Sequence, residues 1–259
     1  MTIDNKEYYE KFEWDKANLS HKLHDKIKII LNIIPDDVRT ILDIGCGDGT
    51  ISNELNHKYS VCALDRSRSA LKYVKTPKIL ASADNIGILS HAFDLVFSSE
   101  MLEHLPDHIF AQSICEMKRI TKKYIFITFP NNENVEKGFI KCIKCGFIFN
   151  RSYHQRRLNM KIIKNLFPEY KVIKSSTFGK KVRKYNNFLG KIKHKLSPAD
   201  SWIPTRWTPN KRRNSLCPKC GNTFEIPYRF NLISTLCDTL NILISPKIPF
   251  QLFILLEKI

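Results

Sequence analysis

The sequence predicts an α/β fold: a doubly wound, mostly parallel seven-stranded sheet with an inserted cap. Three observations carry this. Short apolar runs alternate with helical periodicities over residues 40–130, the pattern of strands joined by crossover helices. The first run breaks into glycines at 45, 47 and 49 just before a helical pattern begins. Later the alternation is interrupted by two Cys-x-x-Cys-Gly knuckles, at Cys142 and Cys145 and at Cys217 and Cys220.

The elements follow in order. Leu19, Leu23, Ile27, Ile30, Leu31 and Ile34 recur at helical spacing and stop at Pro35, so a helix precedes the first strand. Thr40 to Ile44 reads as a buried parallel strand, Thr50 to Lys58 as a helix, and Ser60 to Asp65 as a second strand ending in an acid. Ser67 to Lys75 reads as another helix and Lys78 to Ala81 as a short strand. A fourth strand begins at Phe93, and Phe110, Ile114, Met117 and Ile120 mark the helix after it. Tyr124 to Pro130, Tyr170 to Ser175 and Phe250 to Glu257 are the remaining strands, with a helix through Ile162, Ile163, Leu166 and Phe167. Tyr228 to Ser245 sets Leu232, Ile233, Leu236, Leu240, Leu243 and Ile244 on one face, which predicts an amphipathic helix packed on the insertion; a second reading lays it on a membrane surface.

The segment Ile41-Leu42-Asp43-Ile44-Gly45-Cys46-Gly47-Asp48-Gly49-Thr50 is a strand, a tight turn and a helix start. Glycine is needed where the backbone turns left-handed and where a ligand must approach the main chain without meeting a Cβ. A dinucleotide fingerprint would place Gly or Ala where Thr50 stands, so NAD is disfavoured. Asp43 would repel a pyrophosphate but suits a ligand with an ammonium group, such as S-adenosylmethionine (SAM). Here the chain resembles the class I SAM-dependent methyltransferases, whose first motif, acidic-x-Gly-x-Gly-x-Gly, is matched from Asp43 to Gly49.

The resemblance covers the sheet elements and implies a role for several residues. Gly45, Cys46, Gly47 and Gly49 form the SAM turn with Asp43; Asp65 accepts from the ribose hydroxyls, with Arg66 beside it; Asp84 and Asn85 lie where related enzymes contact adenine; Ser99 ends the fourth strand. Phe93 to Leu105 is similar to the fourth motif of the small-molecule branch, and Ser98-Ser99-Glu100-Met101 lacks the prolines of base-methylating relatives. The implied organisation is an N-terminal helical cap over 1–38 and a SAM-binding core over 39–130, completed by 158–178 and 247–259. A split insertion over 131–157 and 179–246 covers the substrate.

Of the eight cysteines, Cys46, Cys62, Cys115 and Cys237 lie in apolar surroundings and read as packing residues. Each knuckle points two thiolates at one ion, and the two together make the set that zinc takes as a closed, structural site; two unrelated knuckles or a redox pair is the alternative. The 71 residues between Cys145 and Cys217 exceed the roughly 15 to 20 of a contiguous ribbon. The resemblance supplies the explanation: its fifth and sixth strands are parallel and both end at the ligand edge, so the two insertions meet there. The expected cofactors are thus SAM and one structural zinc on Cys142, Cys145, Cys217 and Cys220.

Methyl transfer requires alignment of acceptor, methyl and sulfur, and loss of a proton when the acceptor is a hydroxyl. Glu103 and His104 follow the fourth strand, and His154 follows the first knuckle; these three are the catalytic candidates. Arg151, Arg156, Arg157, Arg206, Lys211, Arg212 and Arg213 flank the cap and suit phosphate or carboxylate groups, while Trp202 and Trp207 offer stacking surface.

Charge divides the chain. Residues 1–130 hold 17 Lys and Arg against 18 Asp and Glu; the remainder holds 25 against 7, so the net +17 belongs to the second half. Such a half suits an anionic partner or simply a solvated face. The expected partner is a small-molecule, sugar or glycolipid acceptor, phosphorylated and lipid-linked forms included, methylated on oxygen. RNA held by the basic half is the alternative acceptor, and a SAM-fold binding protein without turnover is the third reading. Met1 to Asp15 is charged and aromatic, unlike a signal peptide, and no uncharged apolar stretch of about 18 residues occurs. The expected location is the cytoplasm, with peripheral contact at the inner membrane surface.

Overall fold

The computed structural model describes residues 3–14, 21–209 and 213–259. Helices α1 (Lys6–Glu10) and α2 (His21–Ile33) lead into β1 (Thr40–Ile44), α3 (Thr50–Leu55), β2 (Ser60–Asp65), β3 (Lys78–Leu80), β4 (Phe93–Ser99), α4 (Asp107–Ile120) and β5 (Thr121–Pro130). After β5 come the hairpin β6 (Phe139–Lys141) and β7 (Ile148–Asn150), then α5 (Met160–Leu166) and β8 (Tyr170–Arg183). The second insertion holds α6 (Asn187–Leu196), α7 (Ile203–Trp207), the hairpin β9 (Asn214–Leu216) and β10 (Thr223–Glu225), and α8 (Leu232–Ile244); β11 (Lys247–Lys258) closes the chain.

Seven strands form one sheet in the order β3-β2-β1-β4-β5-β11-β8. The first five are parallel, and β11 runs antiparallel between β5 and β8. Both faces are covered. Leu42 and Ile44 pack with Ile109, Ile114 and Met117 of α4 and Ile163 of α5 on one side; Ile41 packs with Ile30 and Ile33 of α2 and Leu55 of α3 on the other. That two-sided burial is why the strands read as apolar runs rather than alternating ones.

Strand order reverses at β1, which lies between β2 and β4, and this is where ligands bind in open α/β sheets. Since β5 and β8 are both antiparallel to β11, they run the same way and end at the same edge. The hairpins that follow them meet there. Ile140, Phe149 and Tyr153 from the first insertion share a small core with Cys217, Phe224 and Ile226 from the second.

Several expectations are corrected. The helix expected over Ser67 to Lys75 is a single 3-10 turn, Ala70–Tyr73, because the Ser67 and Ser69 hydroxyls bond to each other and to backbone carbonyls of α1, holding the segment against that helix. The helix from Thr50 ends at Leu55. The sixth strand runs on to Arg183 because its pairing with β11 continues to Arg183 opposite Lys247, so residues 179–183 belong to the sheet and not to the insertion. Helix α8 is the largest departure: it is turned inside out. Leu232, Leu236, Leu240 and Leu243 are 63%, 55%, 48% and 77% exposed, while Ser234, Cys237, Asp238 and Asn241 face inward. The inward face is satisfied by α6 and its flank: Lys193 Nζ donates to Asp238 Oδ1 at 2.6 Å, and the Tyr185 hydroxyl donates to the same oxygen at 2.8 Å. Cys115 is exposed on α4 rather than packed. Leu19, Lys211 and Arg212 lie outside the described residues.

Candidate functional site

The turn after β1 is left-handed at both its first glycines, with φ of 77° at Gly45 and 57° at Gly47. A Cβ on Gly45 would overlap Met101, and one on Gly47 would come within 2.9 Å of the Trp14 ring. No side chain fits there. The Gly45 and Cys46 amides donate to the Leu64 carbonyl at 2.7 and 3.0 Å, which ties the turn to β2. At the end of β2, Asp65 accepts from the Gly47 amide at 2.9 Å and from the Ser67 amide at 2.8 Å. One carboxylate therefore spans the turn and the loop beyond the next strand.

Above this turn opens a cavity. Gly45, Gly47, Asp65 and Arg66 form part of its wall, with Ser82 and Ala83, Glu100 and Met101, and His104. Tyr9 and Trp14 close it from above. Sequence reasoning missed these two, as it did Glu100 and Met101. The run Tyr8-Tyr9 with Trp14 in a charged segment was the available signal. Helix α2, expected over the ligand, instead packs on the sheet and sends the nearly buried Lys26 to the end of β4. There its Nζ donates to Ser99 Oγ at 2.9 Å and pairs with Glu100 at 3.9 Å.

Other predicted residues stand off the cavity wall. Asp43 lies one layer beneath the turn, 2% exposed, where Ser52 Oγ donates to Oδ2 at 2.5 Å and Oδ1 has no partner. Burial pushes its carboxyl up to about 7. Cys46 points into a pocket of Ala63, Leu71 and Val74, and burial drives its thiol far above the usual range. Gly49 caps α3, packed against Val74. Ser99 faces Lys26 and Thr128. Asp84 accepts from Ser82 Oγ, and Asn85 is exposed; their neighbours Ser82 and Ala83 line the cavity instead. Arg66, which does line the cavity, pairs with Asp4 at 2.7 Å.

The three catalytic candidates come together. His104, in the 3-10 turn Leu102–His104 after β4, meets His154 edge to face with ring centroids 4.7 Å apart. His104 Nδ1 shares a hydrogen bond with the Tyr9 hydroxyl at 2.8 Å, and His154 Nδ1 engages Glu133 Oε2. Glu103 lies beside them, 1% exposed, with neither carboxylate oxygen partnered. Burial and the neighbouring His154 hold His104 down near 3 despite the Tyr153 carbonyl, so its ring is neutral at ordinary pH. Burial, with Glu100 nearby, raises Glu103 well above the carboxylate range.

The basic residues around the cap are largely engaged. Arg156 donates to the Leu105 carbonyl, pairs with Asp107 at 3.2 Å and covers the Phe110 ring at 3.8 Å. Arg157 donates to the Glu133 carbonyl at 3.0 Å and to Asn187. Arg206 lies over Trp207, and Arg213 donates to the Thr208 carbonyl. Trp202 is buried and stacked on His194 at 4.3 Å, a cap core residue, whereas Trp207 is 65% exposed.

The four knuckle sulfurs converge. Cys142 and Cys220 Sγ are 3.7 Å apart, Cys145 and Cys217 Sγ 3.6 Å, and all four lie within 4.8 Å of one another. These are not disulfide distances. A tetrahedral ion with sulfurs at about 2.3 Å requires edges of about 3.8 Å, so the donor set and spacing fit zinc. Each knuckle turns at a left-handed glycine, Gly146 or Gly221, whose amide donates back to Cys142 or Cys217.

Comparisons with known proteins agree with this geometry. Residues 42–127 match the family model described as a methyltransferase domain. The ubiquinone biosynthesis O-methyltransferase of Nitrosomonas europaea is 27% identical over 147 residues, 50% of this chain and 61% of that protein. That of Nitrosospira multiformis is 25% identical over 153 residues, 53% and 63% of the two chains. The chain thus spans about six-tenths of the length of these curated relatives. Among solved structures, a SAM-dependent methyltransferase from Archaeoglobus fulgidus superposes with a TM-score of 0.56 at 15% identity, covering 90% of this chain and 92% of that one. A complex of the Haloferax volcanii Trm112 methyltransferase activator and a putative methyltransferase gives 0.57 at 13%, covering 100% and 99%. Residues 42–127 thus resemble a methyltransferase domain, and the chain shares the α/β fold of these structures, with a mostly parallel seven-stranded sheet. No helix among the described residues is long and apolar enough to cross a membrane.

Proposed function

We propose that this chain transfers a methyl group from SAM to an oxygen of a sugar, glycolipid or other small molecule. The observation that carries the reading is that one cavity wall holds both the glycine cradle with Asp65 and His104, the member of the Glu103, His104 and His154 cluster that reaches it. Gly45 and Gly47 let the donor approach the main chain, and Asp65 accepts from its ribose hydroxyls. Asp43, beneath the turn, bears on the ammonium group through the turn rather than by lining the cavity. SAM supplies an electrophilic methyl on a sulfonium that leaves without further activation. The remaining work falls to the chain: aligning the acceptor, excluding water with Tyr9 and Trp14, and placing the acceptor hydroxyl at the histidine cluster for loss of its proton.

The relatives named as ubiquinone biosynthesis O-methyltransferases lend loose support to oxygen as the acceptor atom. A structural zinc on Cys142, Cys145, Cys217 and Cys220 would lock the two insertions into one cap and, with four thiolates, do no chemistry. A lipid-linked acceptor is favoured by α8. Phe230, Leu232, Leu236, Leu240 and Leu243 present a contiguous apolar face, with Lys191, Lys195, Arg229 and Lys247 exposed around it. Asp238, the one acid on α6 or α8, is buried. An apolar face ringed by cations matches an anionic bilayer surface.

The test is incubation with methyl-labelled SAM and separate lipid, glycan and RNA fractions. Label in lipid or glycan supports the proposal, label in RNA supports the alternative acceptor, and SAM binding with no label transferred supports a binding protein without turnover.

A further inference from the structure

Glu103 is buried without a protein partner. A carboxyl group stripped of water and left without a hydrogen-bond partner is costly for a fold to carry, so its surroundings require explanation. Those surroundings are two imidazoles: one donor atom each from Glu103, His104 and His154 lies within 4.8 Å of the others. The Nδ1 atom of each ring is already engaged, His154 with Glu133 Oε2 and His104 with the Tyr9 hydroxyl. Histidines that ligate metals are held in this way, one nitrogen tied to a carboxylate or another polar group and the other presenting its lone pair. Glu100, held at a φ of 54°, lines the same cavity and adds negative charge.

We propose that Glu103, His104 and His154 bind a divalent cation beside the donor cavity, distinct from the four-sulfur site, and that this cation holds the acceptor oxygen. Ligand atoms at about 2.1 Å from one ion sit roughly 3 to 3.5 Å apart, a spacing that groups held within 4.8 Å of one another can adopt. Two nitrogens and a carboxylate suit manganese, iron or zinc better than calcium or magnesium, and three protein ligands leave positions open for an acceptor. The site's existence is independent of the methyl-transfer reading; its role rests on that reading. In that role the acceptor hydroxyl, polarised by the cation, gives its proton to water. Its lone pair then forms the bond to the methyl carbon, and the carbon–sulfur bond breaks with its electrons left on sulfur.

The test titrates Mn2+ into full-length protein whose thiolate site is already filled with zinc, reading the free-ion signal by electron paramagnetic resonance. Calorimetry with SAM is run on the same samples. Wild type is expected to remove one equivalent of free Mn2+. The near-isosteric Glu103→Gln and the His154→Ala substitution should each weaken binding at least tenfold, and Glu133→Gln about tenfold, through loss of the outer partner. Undiminished free signal with wild type, or binding unchanged in both Glu103→Gln and His154→Ala, overturns the inference. SAM binding without Mn2+ binding would defeat this inference alone, and Mn2+ binding without SAM binding would defeat the methyl-transfer reading alone.

Discussion

His104 and His154 meet edge to face with ring centroids 4.7 Å apart, although one follows β4 and the other follows the first cysteine hairpin. The contact joins the part of the molecule that carries the glycine turn to the first insertion, and Glu133 and Tyr9 hold its two sides. Chemistry assigned to this pair depends on the cap being in place.

The first prediction concerns turnover. Replacing His154 with alanine is expected to lower methyl transfer about 100-fold while SAM affinity changes little, because the residue serves the acceptor and not the donor. Glu133→Gln should lose about tenfold. Steady-state kinetics beside calorimetry checks both; a shift confined to SAM affinity would reassign the pair to donor binding.

Zinc should be measurable at one ion per chain. Cys145→Ser or Cys217→Ser is expected to lose it and to lower the melting temperature by roughly 10 °C, as a loss of about 3 kcal/mol does in a domain of this size. Metal analysis and a thermal melt report the two effects separately, and full melting stability in a zinc-free variant would remove the ion's structural role.

Much of this arrangement is legible in the chain. The glycine turn, Asp65 and the two knuckles are local motifs, and local motifs survive into the structure because each forms from residues near in sequence. The strand alternation likewise gives the sheet. Three features escape for a common reason, that distant partners determine them. Tyr9 and Trp14 gain a role only once β1 and β4 present a cavity to cover. Asp43 matches its motif, yet Ser52 and the packing of the turn draw it beneath the surface. Leu236 and Leu243 carry helical periodicity, which says that a face exists but not which way it turns; Lys193 and Tyr185, meeting Asp238, turn the polar side inward.

Asp43 also predicts a pH dependence. Its folded carboxyl is raised from 3.8 to about 7 by burial, so the folded state holds this proton more tightly than the unfolded chain. Its contribution to stability is fully present below pH 4 and is lost as pH rises toward 7, by up to about 4 kcal/mol. Asp43→Asn should therefore flatten the difference in stability between pH 4 and pH 8, measured by denaturant unfolding of the ligand-free protein. An unchanged pH profile would contradict the burial argument.

The inverted helix predicts association with anionic vesicles. Binding should weaken with salt, and the double substitution Leu236→Glu and Leu243→Glu should reduce it at least tenfold in a sedimentation assay, since two apolar side chains are removed from the face. Equal binding by the substituted protein would show that α8 does not carry the contact.

The most direct measurement is calorimetric titration of the protein with SAM, wild type beside Asp65→Ala. The structure predicts one site per chain in the wild type, weakened about 10- to 100-fold by the substitution, the cost of hydrogen bonds to a charged group. No heat with the wild type at SAM concentrations up to about 1 mM would contradict the account at its base.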